Sequence, residues 1–206
     1  MIYLFLVGVV ALSLSCAEQY PVTSCKEGQG YALDESGIPI RGEASAPISA
    51  TIFGDFECPP TAKMSRLVLE YVDELQAEGQ GGKVKMLYRH FPSNSHARAR
   101  AAAEAAVAAF EQGNDAFWAI FPHLFHHDDD LEDEDILLYA EQAGLDIKAF
   151  QASLGSEEVA AAVDRDISIA IDIGLIATPG VLICGQHTDA SAEEVIDNLK
   201  YLVGKL

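Results

Sequence analysis

The feature that most restricts what this chain can fold into is an apolar strand that runs straight into an amphipathic helix, with a cysteine at the junction. Ile48–Gly54 reads as a short buried strand, and Asp55-Phe56-Glu57-Cys58-Pro59-Pro60-Thr61 follows it at once. Met64, Leu67, Val68, Tyr71, Val72 and Leu75 then recur at helical spacing, and the helix stops at Gly79. Residues 83–91 alternate Val84, Met86 and Tyr88 with Lys85, Leu87 and Arg89, as a second strand does. A strand, a helix and a strand make a right-handed βαβ unit with parallel strands, which puts Cys58 at the carboxyl end of the first strand, where open α/β sheets hold their sites. Unpaired N–H groups and the helix dipole at that point favour a thiolate over a thiol. Most free cysteines are small buried hydrophobes, so position rather than residue type singles out Cys58.

The 206 residues, half of them hydrophobic, are enough for one sizeable core and one domain. Thirteen Lys and Arg against 32 Asp and Glu give a formal net charge of -19. Such a surface repels phosphate backbones and anionic lipid headgroups, which argues against a nucleic-acid partner and against direct electrostatic membrane binding.

Residues 1–17 read as an export signal, apolar from Ile2 to Leu14 but lacking an early Lys or Arg. Two cleavage points are open. Cleavage before Cys16 would expose an N-terminal cysteine for lipidation, Ser13-Leu14-Ser15-Cys16 resembling a bacterial lipobox with Ser in first place, and would attach the protein to a membrane. Cleavage after Ala17 would release a soluble protein. Both routes lead to an oxidising compartment such as the periplasm. Residues 18–45, rich in Gly, Pro, Ser and acidic side chains, read as a linker or irregular lead-in to a domain spanning 46–206. With Cys16 acylated the mature chain keeps Cys25, Cys58 and Cys184, an odd number that leaves at least one thiol unpaired; a Cys25–Cys184 bond stays open.

The middle of the chain is helical by pattern, over residues 96–112, 115–126 with Pro122 inside, 131–143 and 146–154. A longer helix follows, capped by Ser156, with Val159, Val163, Ile167, Ala170 and Ile171 facing inward. Thr178-Pro179-Gly180 then opens a buried strand through Cys184, a turn at Gly185-Gln186 leads to a return strand near His187, and a helix over 191–203 closes the chain. The expected architecture is α/β, with a sheet of about four strands covered by helices.

Phe56-Glu57-Cys58-Pro59, then Tyr88-Arg89-His90-Phe91-Pro92 with His96-Ala97, the helical middle and Thr178-Pro179 come in an order that resembles the DsbA-like branch of the thioredoxin superfamily, over residues 41–206. The resemblance implies a thioredoxin-like fold interrupted by an all-helical insertion at 94–174, and a cis Thr178–Pro179 bond beside Cys58. It also implies thiol–disulfide exchange without a cofactor, with Pro59, Pro60, Thr178 and Pro179 against the substrate. The partners would be protein or peptide disulfides and thiols, glutathione or another thiol reductant.

One departure decides which chemistry is open. The family's Cys-x-x-Cys is here Cys58-Pro59-Pro60-Thr61, and Thr61 cannot resolve a mixed disulfide. Thr61 can offer its backbone N–H and its hydroxyl to the sulfur, while Pro60 removes one N–H. Cys184, five residues along an extended strand from Pro179, would lie roughly 16 Å away. A lone, reachable Cys58 thiolate suits isomerisation, reduction or deglutathionylation. Two other readings are a peptide-binding or chaperone-like protein without turnover and a single-cysteine peroxidase passing through a sulfenic acid.

His126-His127-Asp128-Asp129-Asp130 has a metal-like composition but neither calcium-loop spacing nor a helical histidine pair, and reads as a solvated acidic stretch, so no metal is expected. His90 and His96 read as local hydrogen-bonding residues and Trp118 as core. There is no Gly-rich phosphate loop and no Gly-x-Ser-x-Gly elbow.

Overall fold

The computed structural model describes residues 21–26, 28–125 and 131–206; the stretch 1–17 expected to be an export signal, with Cys16, and the 126–130 stretch lie outside them. The elements run β1 (Ile40–Arg41), β2 (Ile48–Gly54), α1 (Pro59–Ala77), β3 (Val84–His90), α2 (Ala99–Phe110), α3 (Asn114–Leu124), α4 (Asp133–Gln142), α5 (Ile147–Ser153), α6 (Glu157–Asp172), β4 (Gly180–Ile183), β5 (Gln186–Thr188) and α7 (Ala192–Val203). The fold is mixed α/β with a thioredoxin-like, DsbA-like architecture, and α2 to α6 form the insertion between β3 and β4.

The sheet has five strands in the order β1-β3-β2-β4-β5, one more than the sequence pattern suggests. β2 and β3 are parallel, from Ile48 opposite Val84 to Gly54 opposite His90. β4 pairs antiparallel with β2, placing Gly180 opposite Phe53, next to the end of the strand that leads to Cys58. The extra strand, β1, pairs only Ile40 with Leu87 and Arg41 with Met86, too short to leave a periodic signal.

Both faces of the sheet are covered, so all seven residues of β3 are buried, Lys85 and Arg89 included. Ile52, Met86, Tyr88 and Val181 join α1, α7 and the helical insertion in the larger core, while Phe53 and Leu182 pack with Ala170 and Leu175 on the other side. Alternation along β3 therefore sorts Val84, Met86 and Tyr88 into the larger core and Lys85, Leu87 and Arg89 onto a face that is also covered, rather than between core and water. Lys85 is tolerated because Nζ meets the Glu35 carboxylate and, at 2.9 Å, the Ala44 carbonyl.

Ser156 caps α6 and Ser191 caps α7, the latter in a reciprocal capping box with Glu194. Pro122 is held inside the last turn of α3, two residues before the helix ends. Trp118 is core, and its Nε1–H donates to the Ile40 carbonyl at 2.9 Å, tying the insertion to the edge strand. Ile171, expected to face inward, is 62% exposed, since α6 turns only Val159, Val163, Asp166 and Ala170 inward.

The lead-in is irregular but closely fitted. Val22 is buried and exchanges two hydrogen bonds with the Asn198 amide, at 3.0 and 2.7 Å. Cys25 is disulfide-bonded to Cys184, 159 residues away in sequence. Cys184 does not continue β4 as expected. It forms the two-residue turn to β5 with Gly185, and both residues have positive φ (50° and 75°), the backbone a tight hairpin turn requires.

Closing so long a loop restricts the unfolded chain strongly. Replacing both Cys25 and Cys184 by Ala is expected to lower the unfolding free energy by about 3–5 kcal/mol. Urea unfolding of the variant beside the parent measures it, and a loss below about 1 kcal/mol would count against the tether.

Candidate active site

Cys58 is the N-cap residue of α1, in extended conformation, with Pro59 and Pro60 in the first turn. The prolines suit positions whose N–H groups would have no helical partner, but they leave Thr61 as the first residue of the helix able to donate an amide. Cys58 N–H donates to the Asp55 carbonyl at 3.1 Å and Ala62 N–H donates to the Cys58 carbonyl at 3.1 Å, so the backbone on both sides of the sulfur is fixed.

The Thr178–Pro179 bond is cis, and the Cys58 thiol donates to the Thr178 carbonyl at 3.4 Å. This brings together the junction that opens the fold and a loop 120 residues further on. Pro59 and Pro60 are exposed, and Thr178 and Pro179 are half-buried beside them. Cys58 itself is only 7% exposed, more enclosed than the open nucleophile the sequence suggests, because the cis-proline loop closes over it.

Thr61 departs from its expected part. It is fully buried and its hydroxyl makes no hydrogen bond, so the hydroxyl does not serve the sulfur. A β-carbon built on Gly54 would lie 2.6 Å from the Thr61 methyl and 2.4 Å from the Tyr88 hydroxyl, which is also unpartnered, as is that of Ser65. The end of β2 must therefore be glycine for α1 to approach it so closely.

Two buried carboxylates set the geometry, and sequence reading assigned neither a role. Asp55 accepts from the Glu57 and Ser93 amides and meets His96 Nδ1, each at 2.8 Å. Asp166 on α6 accepts from Arg89 at 2.7 Å and from the His90 amide at 2.9 Å. A carboxylate serving a turn and a distant segment has no periodic signature; the only hint is an acidic residue directly after an apolar strand. His96 is the local hydrogen-bonding residue expected. His90 differs, because its buried Nδ1 has no partner among the described residues.

Cys25 and Cys184 are bonded to each other, which leaves Cys58 as the free cysteine among the described residues. Cys184 N–H bonds the Ser49 carbonyl at the opposite end of β2, roughly 17 Å of strand from Gly54, so it cannot resolve a disulfide formed at Cys58. Among the described residues no group of His, Cys, Asp and Glu is placed to hold a metal ion.

A family model described as thioredoxin matches residues 35–199. The chain belongs to the thioredoxin family. Among solved structures, this thioredoxin-family protein is similar to a thioredoxin-like oxidoreductase from Silicibacter pomeroyi, at 22% identity and a TM-score of 0.67 over 79% of this chain and 90% of that one. It is also similar to oxidised BdbD from Bacillus subtilis, at 21% identity and a TM-score of 0.67 over 83% and 95%. A curated relative, the Na(+)/H(+) antiporter NhaA 1 of Mycolicibacterium gilvum, is 37% identical over 158 residues. These are 75% of this chain and 24% of that one, so the chain spans about a quarter of the antiporter's length. No described helix is long and apolar enough to cross a membrane.

Burial lowers the His90 pKa from its ordinary 6.5 to about 4, against the attraction of Asp166. Folding thus holds the imidazole neutral. As pH falls through 6.5 the unfolded chain takes up the proton first, and stability is lost until the folded protein protonates near pH 4. The expected contribution is about 3 kcal/mol, at about 1.4 kcal/mol per pH unit. Urea unfolding at pH 7 and pH 4 should show a smaller drop in a His90→Gln variant, and equal drops in the two proteins would refute the assignment.

Proposed function

We propose that this thioredoxin-family protein is a monothiol exchange enzyme that acts on protein, peptide or glutathione disulfides through Cys58. The observation that carries the reading is a free thiol at a helix N-cap, 3.4 Å from the carbonyl preceding a cis-proline, with the other two described cysteines bonded to each other. The Cys58 thiolate attacks one sulfur of the substrate disulfide, that S–S bond breaks, and the other sulfur leaves as a thiolate and takes up a proton. A second thiol, either the substrate's own or a small-molecule thiol, then attacks the mixed disulfide and restores Cys58. The first outcome is isomerisation, the second reduction or deglutathionylation. Net disulfide donation is not available without a second sulfur.

Thr178 and Pro179 would present the backbone edge that an extended substrate lies along, with Pro59 and Pro60 as the exposed opposite wall. The Cys25–Cys184 bond supports export to an oxidising compartment. Attachment through a lipid on Cys16 is part of the same proposal. So is a link to a membrane antiporter, since the matched stretch forms part of such a protein in the relatives.

The low exposure of Cys58 favours one competing reading, a peptide-binding protein without turnover. Glutathione disulfide at neutral pH separates the two. The exchange enzyme forms a Cys58 mixed disulfide, seen by mass spectrometry and lost in Cys58→Ser, and a Thr61→Cys variant gains disulfide donation to a reduced peptide. A binding protein gives neither adduct nor gain while still retaining peptide.

A further inference from the structure

The loop that carries Thr178 and Pro179 is held from several sides. At its start, the Gly174 and Leu175 amides donate to the Ile171 and Ala170 carbonyls at the end of α6. At its far end the Cys58 thiol meets the Thr178 carbonyl. Between them Leu175 is buried, but Ile176 is 96% exposed and Ala177 is exposed as well. The remaining support comes from the lead-in. The Tyr31 hydroxyl donates to the Ile173 carbonyl at 3.2 Å, and Leu33 packs into the cluster that contains Ile173, Leu175 and Phe53.

The lead-in can give this support because it is locked at the opposite end of the β4–β5 hairpin. Tyr31 N–H donates to the Gly185 carbonyl at 2.7 Å, the residue after the disulfide-bonded Cys184, and Gln186 donates its amide to the Ser24 carbonyl at 2.9 Å. A β-carbon on Gly185 would lie 2.3 Å from the Tyr31 carbonyl, so the two segments touch backbone to backbone. Tyr31 thus connects the Cys184–Gly185 turn by its main chain to the start of the cis-proline loop by its side chain. Both Cys25 and Cys184 are half-buried and line a cavity of about 300 Å³.

We propose that residues 21–26 and 28–33 form a brace, closed by the Cys25–Cys184 disulfide, in which Tyr31 is a positioning residue that holds the cis-proline loop against Cys58. The inference rests on the exchange reading for its functional meaning, and adds a condition to it: substrate docking beside Cys58 depends on a second cysteine pair remaining oxidised. Opening the pair takes two electrons. Two small thiols supply them as they join in a disulfide of their own, and Cys25 and Cys184 each end as a protonated thiol.

The test is hydrogen exchange of backbone amides, which needs no turnover and so reads the brace even if the exchange reading fails. It compares the parent, Tyr31→Phe and the Cys25→Ala/Cys184→Ala double variant. In Tyr31→Phe the amides of 173–178 are expected to exchange about tenfold faster while α1 amides keep their protection, and in the double variant the same loop loses protection in addition to the chain-wide loss that its lower global stability brings. A Cys58→Ser protein treated with dithiothreitol, where Cys25–Cys184 is the remaining reducible bond among the described residues, should reproduce the double variant. In glutathione exchange with a peptide disulfide, both variants should raise KM with little change in kcat. In Tyr31→Phe, unchanged exchange at 173–178, or an acceleration spread evenly over the chain as simple destabilisation would give, overturns the brace.

Discussion

Everything at the thiol depends on a buried carboxylate that has no chemistry of its own to perform. Asp55 ends β2, and its oxygens take the Glu57 amide, the Ser93 amide and the His96 ring, while its backbone carbonyl takes the Cys58 amide. One side chain thereby fixes the β2–α1 turn to the segment leaving β3. Removing it would leave three part-buried donors without this partner, each costing at most about 1–3 kcal/mol. Phe56, the next residue, packs into Tyr88, Phe121 and Phe125, so the turn is also anchored in the helical insertion. The sulfur is placed by its neighbours rather than by its own contacts.

The same economy of anchoring recurs at β3. Asp166 ties Arg89 and the His90 amide to α6, so the helix that delivers the chain to the cis-proline loop is fastened to the strand beside β2. Charged residues buried in this way are tolerated because each meets a partner, and removing one partner would cost far more than the pair contributes. Three hydroxyls near Cys58, those of Thr61, Ser65 and Tyr88, lack such partners.

The antiporter relatives share about three quarters of this chain and only a quarter of their own length. The sheet, its covering helices and the Cys58 turn pack around shared cores. The acidic surface, with a formal net charge of -19, disfavours direct electrostatic binding to anionic lipid headgroups.

The sequence by itself determined the elements whose periodicity is local: β2, α1 and its end at Gly79, β3, the helical insertion, the Ser156 cap and the position of Cys58. It also determined that Thr61 cannot resolve a mixed disulfide, since that follows from the residue's chemistry alone. Only the tertiary structure decided what joins distant segments. β1 is two residues long, the Cys25–Cys184 pairing spans 159, and Asp55 and Asp166 bind segments far from their own, whereas the cis-proline loop beside Cys58, 120 residues away, is already implied by the family resemblance. Cys58 being enclosed, Ile171 facing solvent and the Thr61 hydroxyl lacking a partner were equally out of reach of pattern. Hydrophobic period reports which face of an element is apolar, but which neighbour covers that face is fixed only when the chain has closed on itself.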